Sequence, residues 1–139
     1  MSEAQEAARA ALKSIQVTWA SHLASAFFVA GAMFFMAHNN FVPPSAGGAA
    51  PYWWLLIAAP AVPAWLLIRH MREREAAYAR TQAEPQELMR WYFFSWALAD
   101  IPVLIGAPMG LFTGNMAYLG FGLLVTLGLA ALARPVKQT

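Results

Sequence analysis

Long apolar segments alternate with shorter polar ones along most of this chain. Four apolar segments cover residues 17–37, 51–68, 91–112 and 116–133. Each approaches the roughly 20 residues that a helix needs to cross a hydrocarbon core about 30 Å thick. The pattern predicts an all-α protein: a four-helix transmembrane bundle that forms a single domain over residues 1–139.

Three connections separate the predicted spans. Residues 39–48 are rich in Asn, Pro and Gly, residues 113–115 are typical of a tight turn, and residues 69–90 carry many charges. Short connections join neighbouring antiparallel helices. We therefore expect two hairpins, linked by the charged segment.

The charged segment has features of a helix. Arg69 precedes Glu73 by four residues, and Arg80 precedes Glu84 by four, so each pair would meet on a helix surface. Pro85 suits the first position of a new helix. We therefore expect this loop to be partly helical.

The basic residues predict the orientation in the membrane. All nine precede the first span, lie between the second and third spans, or follow the last one. An even number of spans places these regions on one side, which the positive-inside rule assigns to the cytoplasm. We expect a multi-pass protein of a bacterial-type inner membrane, with both termini and the 69–90 loop cytoplasmic.

The composition agrees with this class and argues against several others. Hydrophobic residues make up 60% of the chain and charged residues 12%, against about 25% charged residues in soluble domains. A formal charge of +2 without a continuous basic run argues against nucleic-acid binding. There is no cysteine, no HExxH or phosphate-loop motif and no cluster of carboxylates, so we expect no enzyme activity, metal or cofactor.

Asp100 is the one Asp, Glu, Lys or Arg inside any of the four apolar segments. A charged side chain at the bilayer centre costs about 2.5 to 3.5 kcal/mol on insertion scales. Asp100 is therefore expected to face protein or water, or to be held neutral.

Several polar features share the predicted depth of Asp100. At about 1.5 Å per helical residue, four positions lie at similar heights above the cytoplasmic boundary: His22, Pro60, Asp100 and Thr126. Asp100 could meet His22, the Thr126 hydroxyl or carbonyls freed around Pro60 and Pro63. One interpretation is a proton or cation site, and the other is a set of hydrogen bonds that joins the helices.

Small residues and prolines suggest how the third and fourth spans pack. Gly106 and Gly110 form a GxxxG spacing, and Gly122 begins a stripe of small residues on the fourth span. These stripes allow close approach, either to each other or to a second copy. Pro102 and Pro108 are expected to bend the third span, and Pro60 and Pro63 are expected to bend the second span.

Leu98-Ala99-Asp100-Ile101-Pro102, followed by Gly106 and Gly110, resembles the carboxylate helix of the rotary ATP synthase c subunit. The resemblance covers residues 97–110. It implies a carboxylate, here Asp100, that takes up and releases an ion in an oligomeric ring. The chain as a whole resembles small four-helix bacterial membrane proteins.

Three functions fit these features. The first is a non-catalytic accessory or assembly subunit that contacts the lipid bilayer and other membrane subunits. The second is a proton- or cation-translocating homo-oligomer that uses Asp100 with His22, and the third is a small-molecule carrier. They differ in whether a partner chain, an ion or a solute reaches the Asp100 layer.

Overall fold

The structure is a computed structural model that describes residues 3–40, 52–81 and 85–135. Within these ranges the chain forms helices and no strands, so the predicted all-α class is confirmed. The helices are α1 (Glu3–His38), α2 (Tyr52–Ala58), α3 (Ala61–Thr81), α4 (Pro85–Thr113) and α5 (Ala117–Leu132). Most of the predicted 39–48 loop and the predicted Arg80–Glu84 pair lie outside what is described.

In the described part of the chain, three helical segments are long and apolar enough to cross a membrane: Arg9–His38, Tyr52–Ala76 and Glu87–Thr113. α2 and α3 together supply the second segment. α5 is apolar but has only 16 residues, or about 24 Å at the helical rise per residue. The segment predicted as a fourth span is therefore an apolar helix shorter than the other three. The length and apolar composition of these segments indicate a helical membrane protein.

The second apolar segment is interrupted at Pro60. The Ala59 N–H still donates to Leu55 O at 2.7 Å, and the next helix is established where Ala64 N–H donates to Pro60 O at 3.1 Å. Pro63 lies in the first turn of α3, where the missing N–H has no helical partner to lose. The break therefore falls at Pro60, whereas the helix accommodates Pro63.

α4 runs without interruption through Pro102 and Pro108. A proline inside a helix removes a hydrogen-bond donor and crowds the carbonyl four residues earlier. The N–H group of the following residue, Val103, donates to Thr126 Oγ1 of α5 at 3.2 Å. A neighbouring helix thus supplies a polar partner at this point in α4.

α4 lies at the centre of the fold. It contacts each of the other four helices, and α1, α2 and α3 each contact α5 as well. Its residues Tyr92, Trp96 and Ala99 belong to the larger core cluster, and Val103 and Ala107 belong to the smaller one. One face of α4 therefore organises most of the packing.

α4 and α5 approach each other most closely at glycines. A Cβ atom on Gly122 would lie 2.5 Å from Pro102 O, and one on Gly106 would collide with Tyr118 O. Gly110 has more room, since the nearest atom to its added Cβ belongs to a side chain at 3.3 Å. The small residues of α4 and α5 therefore face each other within one chain.

A short turn joins these two helices. Gly114 has a φ of 70°, in the left-handed region that glycine adopts without strain. Asn115 Oδ1 accepts a hydrogen bond from Ala117 N–H at 3.1 Å, which satisfies a free donor at the start of α5. The turn returns the chain directly onto α4.

Candidate functional site: a histidine–aspartate pair between two helices

Asp100 of α4 lies beside His22 of α1. Asp100 Oδ1 and His22 Nε2 are 3.0 Å apart, and 22% and 15% of the two side chains are exposed. Both atoms are buried, and their approach lacks the geometry of a hydrogen bond. When the imidazole is protonated, charge attraction holds the pair, and this attraction is strong where water is scarce. The site can therefore carry an ion pair or exchange a proton.

Trp96 covers the pair from the preceding turn of α4. It is 3% exposed, and its ring stacks on the His22 imidazole with centroids 5.9 Å apart and an interplanar angle of 29°. This stacking fixes the plane of the imidazole beside the carboxylate. Trp96 is not among the site residues that the sequence predicts, although its four-residue spacing places it on the same helix face as Asp100.

The other members of the predicted polar layer have separate roles. Thr126 is fully buried, and its hydroxyl accepts from Val103 N–H. Pro60 lies between α2 and α3, where its carbonyl accepts from Ala64 N–H at 3.1 Å. The structure therefore brings Asp100 together with His22 and assigns the Thr126 hydroxyl to the backbone of α4.

A second polar cluster joins α3, α4 and the end of α5. Glu75 Oε2 accepts from Arg72 Nη1 at 2.7 Å, and Glu75 Oε1 accepts from the Tyr92 hydroxyl at 2.6 Å. Arg72 Nη2 also donates to the carbonyls of Leu132, at 2.8 Å, and Arg134. A cation at this position satisfies free carbonyls at the α5 C-terminus and complements the helix dipole.

Helical spacing predicts only one contact of this cluster. Arg72 and Glu75 are three residues apart, so they can meet on one helix face. The neighbouring pair Arg69–Glu73, which the sequence does predict, has its charged atoms 3.6 Å apart. The carbonyl of Leu132 is 60 residues from Arg72 in the chain. Tertiary packing alone brings that carbonyl to the guanidinium.

The described residues hold no group of three or more His, Cys, Asp or Glu side chains that could bind a metal ion. The chain matches no protein-family model, no curated protein and no solved structure. The fold and the site therefore describe a small helical protein with three segments that are long and apolar enough to cross a membrane, and with a His–Asp pair between two of its helices.

Proposed function

We propose that this protein is a non-catalytic accessory or assembly subunit of a larger membrane complex. The observation that carries this proposal is that its intramembrane polar groups join its own helices. Asp100 meets His22 across α4 and α1, and Thr126 binds Val103 across α5 and α4. Polar contacts of this kind commonly hold membrane helices together.

α1 is the best candidate for the docking helix. Within its most apolar window, 11% of the residues are buried by the rest of the chain, compared with 44% for α4. Phe28 and Phe35 are 77% and 60% exposed on α1. Such a surface suits contact with lipid or with the apolar face of a neighbouring subunit, and the proposed function assigns part of it to a subunit.

The contacts at one end of the bundle support the proposed orientation. Arg72 of α3 reaches the carbonyl of Leu132 at the end of α5, and the Arg134 guanidinium lies 5.7 Å from the Trp19 ring centroid. Basic residues near α1, α3 and α5 therefore share one end. By the positive-inside rule this is the cytoplasmic end of an inner-membrane protein, which puts both termini in the cytoplasm.

Site-specific photocrosslinking in cells tests the accessory role. A photoreactive phenylalanine analogue at Phe28 should yield a discrete adduct with a different membrane protein, identified by mass spectrometry. Leu124 is the matched control, because it is 71% exposed on α5, away from the proposed docking helix. Lipid adducts alone at both positions, with recovery of a monomer after mild detergent extraction, would contradict the proposal.

A second candidate is a proton- or cation-handling oligomer. It is favoured by the 3.0 Å approach of His22 Nε2 to Asp100 Oδ1, since both groups can gain and lose a proton. The resemblance of residues 97–110 to the ATP synthase c subunit supports the same role for Asp100. In this proposal the pair is a loading site and not only a helix contact.

Ion flux in liposomes separates the two candidates. Asp100→Asn should abolish proton or cation flux while the protein still assembles, because an amide keeps the size of the carboxylate but does not titrate. Thr126→Ser is the control, since it retains the hydroxyl that binds the α4 backbone. Equal flux in wild type and Asp100→Asn, or no flux from the wild type, would refute ion handling.

A further inference from the structure

Three buried polar atoms, one on each of the Trp96, His22 and Asp100 side chains, have no hydrogen-bond partner among the residues that the structure describes. They are Trp96 Nε1, His22 Nε2 and Asp100 Oδ1. A buried polar group left unsatisfied costs about 1 to 3 kcal/mol. The His22 and Asp100 atoms face each other in the ion pair, whereas no described group accepts from the Trp96 indole N–H, so the site favours a ligand that can accept it.

The geometry brings the three side chains to one place. The imidazole of His22 is in stacking contact with Trp96 and lies 3.0 Å from the carboxylate of Asp100. Trp96 and Asp100 are four residues apart on α4, so they share a helix face. Helical side chains lean toward the preceding turn, which directs Asp100 toward the indole.

The donor and acceptor chemistry restricts the ligand. An indole N–H can only donate, whereas a carboxylate can only accept. A cation would face the indole donor, and an anion would face the Asp100 carboxylate. A neutral hydroxyl-bearing molecule fits, because its oxygen accepts from Trp96 while its hydrogen is donated to Asp100.

We propose that Trp96, Asp100 and His22 form a binding site for a water molecule between α1 and α4. Buried waters typically make about three hydrogen bonds to polar groups that would otherwise be unsatisfied. Such a water gives Asp100 a carrier for proton exchange. The functional meaning of the site rests on the second proposed function, whereas the water itself is argued from the unpaired Trp96 donor beside the His22–Asp100 ion pair.

Magnetisation transfer from water in solid-state NMR tests the site directly. The protein is labelled with ¹⁵N-tryptophan in lipid bilayers, and transfer to each indole N–H is followed with time. Trp19 is an internal control, because its Nε1 donates to Ala130 O at 3.0 Å and it lies nearer the expected cytoplasmic boundary. Transfer to Trp96 should be faster than transfer to Trp19, although depth alone predicts the reverse.

Two substitutions at Asp100 sharpen this test. Asp100→Leu removes the acceptor and should abolish the fast transfer to Trp96, while Asp100→Asn keeps an acceptor oxygen and should retain it. Trp96→Phe assigns the signal by its loss, and an unchanged Trp19 shift reports an intact α1–α5 contact. Transfer to Trp96 no faster than to Trp19 in the wild type, or insensitive to Asp100→Leu, would overturn the site.

Two further measurements distinguish water from a lipid hydroxyl as the bound group, and test ion handling independently of the bound group. Fast transfer from lipid protons, in place of water protons, would identify a lipid hydroxyl and overturn the water assignment. Liposome flux reports ion handling independently of these spectra. A hydrated Trp96 without flux would refute the second function alone, and flux with a dry Trp96 would refute the water site alone.

Discussion

Gly122→Ala should weaken the contact between α4 and α5. The added Cβ atom would lie 2.5 Å from Pro102 O, 3.1 Å from Pro102 C and 3.2 Å from Val103 Cα, whereas ordinary contact begins at 3.4 Å. All three neighbours are backbone atoms, so no side chain can rotate away. α4 and α5 must therefore separate by about 0.9 Å, the difference between 3.4 and 2.5 Å.

The expected cost follows from this displacement. Overpacking a well-packed contact typically costs about 1 to 3 kcal/mol. Separation would also lengthen the 3.2 Å hydrogen bond from Val103 N–H to Thr126 Oγ1. Alanine gains up to about 1 kcal/mol over glycine in helix propensity, which partly masks the steric cost in the single variant.

Gly128→Ala on the same helix removes that ambiguity. Nothing lies within 4 Å of a Cβ atom added at Gly128, so this variant has the helix-propensity gain without the steric term. The difference in unfolding free energy between the two variants should therefore be about 1 to 3 kcal/mol, with Gly122→Ala the less stable. Reversible unfolding in mixed detergent micelles, followed by circular dichroism, measures this difference. Equal stability of the two variants would refute the close approach of α4 and α5.

Three further substitutions test the polar contacts by thermal unfolding in detergent. Thr126→Val should be less stable than Thr126→Ser by about 0.6 to 1.7 kcal/mol, the range for hydrogen bonds between membrane helices; equal stability would exclude a contribution from the bond to Val103. Arg72→Met should cost about 1 to 3 kcal/mol through lost charge-assisted bonds, whereas Arg69→Met should cost less than about 1 kcal/mol because its ion pair is exposed. The reverse order would contradict the cluster at the α5 C-terminus. Tyr92→Phe should cost about 1 kcal/mol by deleting one buried hydroxyl bond, and no loss would show that the bond contributes little.

The helices and their approximate ends were accessible from local pattern. Apolar segments of suitable length predicted the all-α class, and α4 begins at Pro85, where a proline suits the first helical position. The bounds of α5 were also accessible, since the predicted segment 116–133 differs from the helix Ala117–Leu132 by one residue at each end. Its final turn is shaped by Ala133 N–H, which binds Leu129 O at 2.9 Å.

The sequence predicted the depth of the polar side chains in the membrane, but not the direction in which each side chain points. Counting residues along each helix gives the height of a side chain above the membrane boundary, since every helical residue rises by the same amount. It gives no information on how each helix is rotated relative to its neighbours. Depth alone therefore did not separate His22 from Thr126 as partners for Asp100, and only the chemistry of an ion site favoured His22. In the structure His22 lies 3.0 Å from the carboxylate, while Thr126 binds Val103.

The sequence by itself determined a helical membrane protein with one carboxylate inside its apolar segments, because hydrophobic length and charge placement act locally along the chain. Only the tertiary structure decided that Asp100 meets His22 under Trp96, and that Arg72 reaches the carbonyl of Leu132. Those contacts depend on helix rotation and on packing between distant segments, which local pattern does not encode. The same packing stacks the Trp96 ring on His22 and buries its Nε1 without a hydrogen-bond partner among the described residues.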